Sequence, residues 1–349
     1  MDYARKPRRY LPAAHASLFQ IRLSAGLTLV AACAALALAA CSDSSGASTA
    51  HSGMAEHPVE NGYISFSRFI PGGTHIFSVS PTGTDERQLT QDAGVQAHSA
   101  WSPSGTVVAF SQVDSDRSSI KTVNTVGGVV STLVRDGAWA LVPSWSPDGS
   151  RVAYTDDTTG DYQVYTVSVD GANVVQMTQA PSGTTYVGPK FSPDGKLLAF
   201  AMHRPQDAKG VQDLWVMNID GSDPRRLTTG MNNAESRTWS PDGTRIAFSV
   251  VVNGVGQIFV INLDGTGLTQ LTRNPGTTPA FAPGGIFPTM RGDVTPAWSP
   301  DGTRIAFASD SGGNFDVYTM KLDGSNIVQI TKTPQQELSV GWGAQHSAS

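Results

Sequence analysis

The sequence predicts an all-β chain, a six-bladed β-propeller whose ring is closed by the C-terminal strand pairing with the N-terminal blade. Three observations carry this expectation. A turn phrase recurs at near-constant spacing, a hairpin phrase alternates with it, and the two ends of the repeat region look like complementary parts of one unit.

The turn phrase is an aromatic followed by Ser-Pro-Asp-Gly. It stands at Trp145, Phe191, Trp239 and Trp298, with Ser104 replacing Asp in the copy at Trp101. Proline presets φ, Asp tolerates the bend and Gly accepts positive φ, so each copy marks a tight turn between two strands. A short apolar run follows every copy: VVAFS, RVAYT, LLAFA, RIAFS and RIAFA. The hairpin phrase comes next, as VYTVSVDG at 164–171, LWVMNIDG at 214–221, IFVINLDG at 258–265 and VYTMKLDG at 317–324. Looser copies occupy 76–83 and 120–127, and a Leu-Thr pair trails the phrase at Leu271-Thr272. Steps between the aromatics are 44, 46, 48 and 59 residues, then 44 more to Trp342. Four short strands in each unit of this length are the propeller signature. The first unit opens at 62–69 on a second-strand pattern, and residues 337–343 match a first strand with nothing after it. Pairing the two would remove two exposed sheet edges.

Residues 1–40 stand outside the repeat. A basic stretch (Arg5, Lys6, Arg8, Arg9, Arg22) precedes an uncharged run from Leu23 to Ala40, which ends in Leu38-Ala39-Ala40-Cys41. The chain turns polar immediately afterwards. This resembles a bacterial lipoprotein signal, which implies cleavage before Cys41 and acylation of its thiol. Val30-Ala31-Ala32-Cys33 has the same shape, but apolar residues continue beyond it. The expected organisation is a signal peptide over 1–40, a flexible tether over 41–61 and a propeller over 62–345. Ser42 after the lipidated cysteine points to the periplasmic side of the outer membrane of a Gram-negative cell envelope.

The whole chain has 24 basic and 29 acidic residues, a net charge of −5. Without the first 40 residues the balance is 19 against 28. An acidic chain with no basic block is a poor nucleic-acid binder, because phosphate contacts dominate that affinity. With Cys41 acylated no thiol remains for disulfides or nucleophilic chemistry.

The Trp/Phe-Ser-Pro-Asp-Gly and Leu-Thr phrases resemble the TolB-like family of WD-type propellers over nearly all of residues 62–343. The resemblance implies a monomeric propeller that docks a partner. The α/β domain that precedes the propeller in TolB has no counterpart in the sequence, where about 20 tether residues stand instead.

Candidate chemistry is sparse. Asp148, Asp194, Asp242 and Asp301 fall in separate turns and are expected to be structural, as are Trp101, Trp145, Trp239, Trp298 and Trp342. Trp215 occupies a position held by Tyr165, Phe259 and Tyr318 in sister units, so it too belongs to the core. His98 and His203 fall on one face, but no H-x-H or H-E-x-x-H spacing supports a metal site. No nucleophile elbow or phosphate loop is present. No catalytic residue, metal or cofactor is expected.

The departures from the repeat carry more information. Residues 202–213 and 273–295 are insertions on the face formed by second-to-third-strand and inter-blade loops, and Trp139 has no repeat counterpart there. Such insertions mark a binding side. Trp139, Arg204, Phe281, Phe287 and Met290 are therefore the expected partner-binding residues. The expected function is a cell-envelope binding or scaffold module for a protein, peptide or glycan, attached to the membrane through its lipid alone. The alternative is a metal-dependent polysaccharide lyase or hydrolase acting at the pore mouth.

Overall fold

A computed structural model describes residues 60–345, apart from 115–116, 136–138, 180, 208–210, 232–235 and 277–290. Those residues contain strands and no helix, so no helix is long and apolar enough to cross a membrane.

Twenty-four strands follow one another in six sets of four. The first three are β1 (Asn61–Ile70), β2 (Gly73–Val79) and β3 (Arg87–Gln88). The second set is β4 (Gly94–Trp101), β5 (Val107–Val113), β6 (Ser118–Asn124) and β7 (Val130–Val134). The third is β8 (Leu141–Trp145), β9 (Arg151–Asp156), β10 (Gln163–Ser168) and β11 (Val175–Gln176). The fourth is β12 (Thr185–Phe191), β13 (Leu197–His203), β14 (Asp213–Asn218) and β15 (Arg225–Arg226). The fifth is β16 (Arg237–Trp239), β17 (Arg245–Val252), β18 (Val255–Asn262) and β19 (Thr269–Gln270). The last is β20 (Asp293–Trp298), β21 (Arg304–Ser309), β22 (Asp316–Lys321) and β23 (Val328–Gln329), after which β24 (Glu337–Ala344) returns to pair antiparallel with β1.

Six separate blades are not what the hydrogen bonding gives. Sets three to six are four independent four-stranded sheets, whereas the first eight strands, β24 included, form one continuous sheet. The join is a two-residue parallel pairing of β2 with β4, Gly73 to Gly94 and Thr74 to Val95. Glycine permits it: a Cβ on Gly73 would lie 2.6 Å from the Gly94 carbonyl oxygen. The expectation of separate blades is corrected to that extent.

The repeated phrases map onto repeated contacts. Facing aromatics of the second and third strands stack, as in Phe248–Phe259 (6.2 Å) and Phe307–Tyr318 (6.0 Å). Alternate residues such as Ile246 and Phe248 are fully buried between sheets. The Leu-Thr pair has a polar purpose. Thr90, Thr178, Thr228, Thr272 and Thr331 each accept the amide of the third-strand residue fourteen positions earlier. The fourth strands are only two residues long in five sets, so a buried hydroxyl continues the ladder where backbone pairing stops. In the second set Val134 takes this place, and β7 is correspondingly longer.

The first strands make the inner wall. β4, β8, β12, β16, β20 and β24 touch one another in that order, and β24 comes back to β4.

Candidate functional site

The Ser-Pro-Asp-Gly turns bond within themselves, and the one at Asp301 also takes the Asn61 side-chain amide at 2.9 Å. Ser146 Oγ donates to Asp148 Oδ1 (2.6 Å) and accepts the Arg151 amide (3.0 Å), and the Ser150 amide completes the loop on Asp148. Ser192, Ser240 and Ser299 repeat the pattern. The Ser146 hydroxyl, with the Ser150 groups, holds the Asp148 carboxyl at about 2. Each proline also packs on the next turn's glycine: a Cβ on Gly149, Gly195, Gly243 or Gly302 would stand 3.7–3.8 Å from Pro103, Pro147, Pro193 or Pro241. These carboxylates are turn locks.

Two of the repeated tryptophans, Trp145 and Trp239, tie one sheet to the next, and Trp342 ties β24 to β1 within a sheet. The indole N–H of Trp145 donates to Ala100 O and that of Trp239 to Lys190 O, both at 3.1 Å, while Trp342 donates to Gly62 O at 3.2 Å.

At the opposite ends of the strands the chain does not repeat. Trp139 is half-buried beside β8; its backbone bridges to Ser118, and its amide donates to Asp157 Oδ1 at 2.9 Å. Arg204, just past β13, chelates Asp207 (Nη2–Oδ1 2.9 Å) with its guanidinium carbon 5.3 Å from the Trp215 ring centre. That makes Arg204 first a brace for its own loop. Trp215, expected in the core, is only partly buried and forms the platform beneath that arginine. Since Leu141 pairs with Thr155 and Thr185 with His203, the register puts Trp139 and Arg204 at the same end of their sheets. Phe281, Phe287, Met290 and Cys41 lie outside the described residues.

His203 Nδ1 sits 2.9 Å from the Val211 carbonyl in the same loop, while His98 lies midway along β4, so they occupy different settings. Among the described residues no group of three or more His, Cys, Asp or Glu side chains could hold a metal.

Sequence reasoning missed the inner wall. Three residues before the repeat aromatic, the first strands place His98, Val142, Gly188, Ser236, Thr295 and Ser339. His98, Val142, Gly188, Thr295 and Ser339 have φ between 50° and 61°, and every strand concerned slips register at this point. These are β-bulges built on left-handed residues, a conformation that costs a non-glycine residue energy and clusters at functional sites. Hydroxyls of one set accept amides of the next: Ser111 from Val142 (3.0 Å) and Thr155 from Gly188 (2.9 Å).

Three basic side chains meet on this wall. His98 Nδ1 is 3.3 Å from Ser111 Oγ, Lys190 Nζ donates to Pro143 O at 3.3 Å, and Arg237 Nη1 donates to Val187 O and Gly188 O at 2.6 Å each. Burial, then the Lys190 charge, pull His98 down to about 4. Burial, then the Arg237 charge, pull Lys190 down to about 8. The signal available in the sequence was the failure of residues 98, 190 and 237 to follow the repeat.

A model of the TolB beta propeller domain matches residues 58–209 and 182–290 of the chain. Dipeptidyl-peptidase 5 of Porphyromonas endodontalis is 30% identical over 158 residues, covering 42% of this chain and 21% of that protein. The Tol-Pal system protein TolB of Anaeromyxobacter dehalogenans is 28% identical over 139 residues, 40% of this chain and 27% of that protein. The chain thus spans only about a quarter of these relatives. The crystal structure of TolB from Acinetobacter baumannii superposes with a TM-score of 0.67 over 81% of this chain and 66% of that one, at 19% identity, a likeness of fold.

Proposed function

The chain belongs to the TolB β-propeller family, and on that footing we propose that it is a cell-envelope binding module that docks a protein, peptide or glycan on its loop face. The eight-stranded sheet is taken as two blades sharing a parallel seam, which makes the propeller six-bladed. Residues 1–40 act as a lipoprotein signal, Cys41 carries the acyl chains, and 41–61 tether a monomeric propeller over 62–345 to the periplasmic side of the outer membrane.

One observation carries the reading. On the turn face the carboxylates of Asp148, Asp194 and Asp242 are held by the Ser, Thr and amide groups of their own turns, whereas Trp139 and the braced Arg204 stand where the repeat is broken. Aromatic and arginine side chains dominate binding energy at interfaces. Phe281, Phe287 and Met290 in the 273–295 insertion would add apolar contact.

The test is capture from solubilised envelope with the anchored protein as bait, followed by binding measurements on Trp139→Ala and on a deletion within 277–290. Each change should weaken the captured partner by about 2 kcal/mol, roughly thirtyfold, with Tm nearly unchanged. A partner whose affinity instead follows Asp242→Ala on the turn face would reverse the assignment.

A further inference from the structure

Every copy of the turn phrase opens on an aromatic, and a single copy departs from tryptophan. Phe191 stands where Trp101, Trp145, Trp239 and Trp298 stand in their own units. The packing around these positions is repeated too. Trp239 shares one apolar cluster with Leu227 and Leu263, Trp298 shares another with Leu271 and Leu322, and Phe191 shares a third with Met177 and Ile219. Trp239 and Trp298 are buried in their clusters, whereas the smaller ring of Phe191 stays half-buried. Beside it a cavity of about 510 Å³ opens on the turn face between the third and fourth sets, lined by Met177, Phe191 and Ile219 together with Arg151, Asp148 and Asp194.

Arg151 differs from its counterpart in a matching way. The guanidinium carbon of Arg245, at the equivalent place in the fifth set, lies 5.0 Å from the Trp298 ring centre. Arg151 lines the cavity and bonds Thr166 Oγ1 at 2.8 Å and the Asn173 carbonyl at 3.0 Å, both through Nη2. An indole completes the seam in the neighbouring grooves. In this one the chain supplies the apolar floor, the arginine and a phenyl ring, but not the second ring of an indole.

The polar groups at the rim narrow the choice of ligand. Asp148 and Asp194 are exposed, and hydrogen bonds from Ser146 and Ser192 keep both ionised. Arg151 and Lys196, whose Nζ lies 3.8 Å from Asp194 Oδ2, balance these two charges. A balanced rim favours a neutral aromatic over an ionised one, and carboxylate oxygens have lone pairs to spare for an N–H.

We propose that this groove is a docking site for the indole of a tryptophan carried by a partner protein. The incoming ring does what Trp239 and Trp298 do next door: it covers the apolar floor, packs on Phe191 and presents its face to Arg151. Within a polypeptide a tryptophan side chain carries no charge, which suits the balanced rim better than a free indole acid does. Tryptophan is also among the residues that dominate interface energetics. The site lies on the turn face and does not rest on the loop-face reading above.

The test uses the full-length protein with ¹³C-labelled methionine methyl groups, titrated with N-acetyl-tryptophanamide. The Met177 resonance, identified by its loss in Met177→Leu, should move saturably. N-acetyl-phenylalaninamide should bind about fivefold more weakly, having the poorer face for a cation, and indole-3-propionate should also bind more weakly than the tryptophan amide. Phe191→Trp supplies the missing ring from within the chain and should abolish the response while the protein stays folded. Arg151→Met should weaken the tryptophan amide about fivefold. Arg304→Met, which loses the same pair of bonds to Thr319 and the Asn326 carbonyl, should match the wild type. If Phe191→Trp fails to fold, the comparison of these two arginine variants decides. A Met177 methyl that ignores the amide, a folded Phe191→Trp that still binds it, or equal effects of Arg151→Met and Arg304→Met would overturn the site. Tighter binding of the phenylalanine amide or of indole-3-propionate would overturn the assignment to a protein tryptophan. No measurement here involves the loop face, so either site can fail while the other stands.

Discussion

Thr228 shows how much one hydroxyl holds. It accepts the Leu214 amide at 2.9 Å and donates to Asp213 Oδ1 at 3.0 Å, and Asp213 also takes Arg226. Thr228→Val removes both bonds inside a buried site, so we expect a loss of about 1–3 kcal/mol in urea unfolding, largely restored by Thr228→Ser. Lys190 should behave in the opposite way. Its folded-state value of about 8 lies below the ordinary 10.5, so the native protein binds fewer protons than the unfolded chain between those limits. Stability attributable to this group therefore rises from pH 8 to 10.5, by at most about 3 kcal/mol. Lys190→Met should flatten that rise and be at least as stable as the wild type at pH 7. For His98 the sign is the same and the window is lower. With about 4 in place of 6.5, its contribution is full above pH 6.5 and is lost as the pH falls toward 4. Circular dichroism melts across pH 4–10 check both residues.

Among the elements, β24 is the one on which the first unit depends. It supplies the strand that the sequence left missing at 62–69, and Ile64 faces Trp342 across the pair. At the other end of the pair Arg68 donates from Nε and Nη2 to Glu337 Oε1 at 2.8 and 2.6 Å. The same guanidinium bonds Glu86 and lies 4.5 Å from the Phe77 ring centre. Glu337 is fully buried and also receives the Thr331 hydroxyl. Arg68→Met leaves that carboxylate unpaired and should cost about 3–5 kcal/mol, while Arg68→Met with Glu337→Leu should recover most of the loss. Deleting 337–349 should abolish the cooperative melt. The strands were legible because every unit has to solve the same problem: a turn needs Pro and Gly, a stacked pair needs aromatics, and a truncated ladder needs Thr. The β2–β4 seam was not legible, since the equivalent glycines of the fifth and sixth sets, Gly256 and Gly292, meet in an isolated parallel bridge and do not join their sheets. Nor were the bulges, because His98, Val142 and Thr295 adopt left-handed backbone without being the glycine that announces it.

For the molecule as a whole, attachment and recognition are separable. Cys41→Ala should release the protein from membranes and abolish lipid labelling, since two or more acyl chains are what hold such a protein durably. The melting temperature of the propeller should not change. Label that persists in this variant and vanishes in Cys33→Ala would move the acylation site. The loop-face docking proposed above rests on breaks in the repeat that the sequence displays at Trp139, 202–213 and 273–295. The inner-wall basic cluster was not legible, because residues 98, 190 and 237 are far apart in the chain and meet only when three sheets come together.

The stitching of β24 to β1 has a topological consequence. The Gln345 amide donates to the Glu60 carbonyl at 2.9 Å, so the two ends of the described chain lie side by side. A closed wall of this kind has no inherent starting point; where the polypeptide opens is a matter of coding order and not of energetics. Val126 is 80% exposed in the turn after β6, and a Cβ on Gly127 or Gly128 would touch nothing. A circular permutant with residues 345 and 60 joined through a short glycine-serine linker and new termini between 127 and 128 should keep the fold and a cooperative thermal melt by circular dichroism. In such a permutant the Arg68–Glu337 pair would be separated by the linker and eight residues on either side of it rather than by 269 positions, so the slowest closure in folding would pass to another seam.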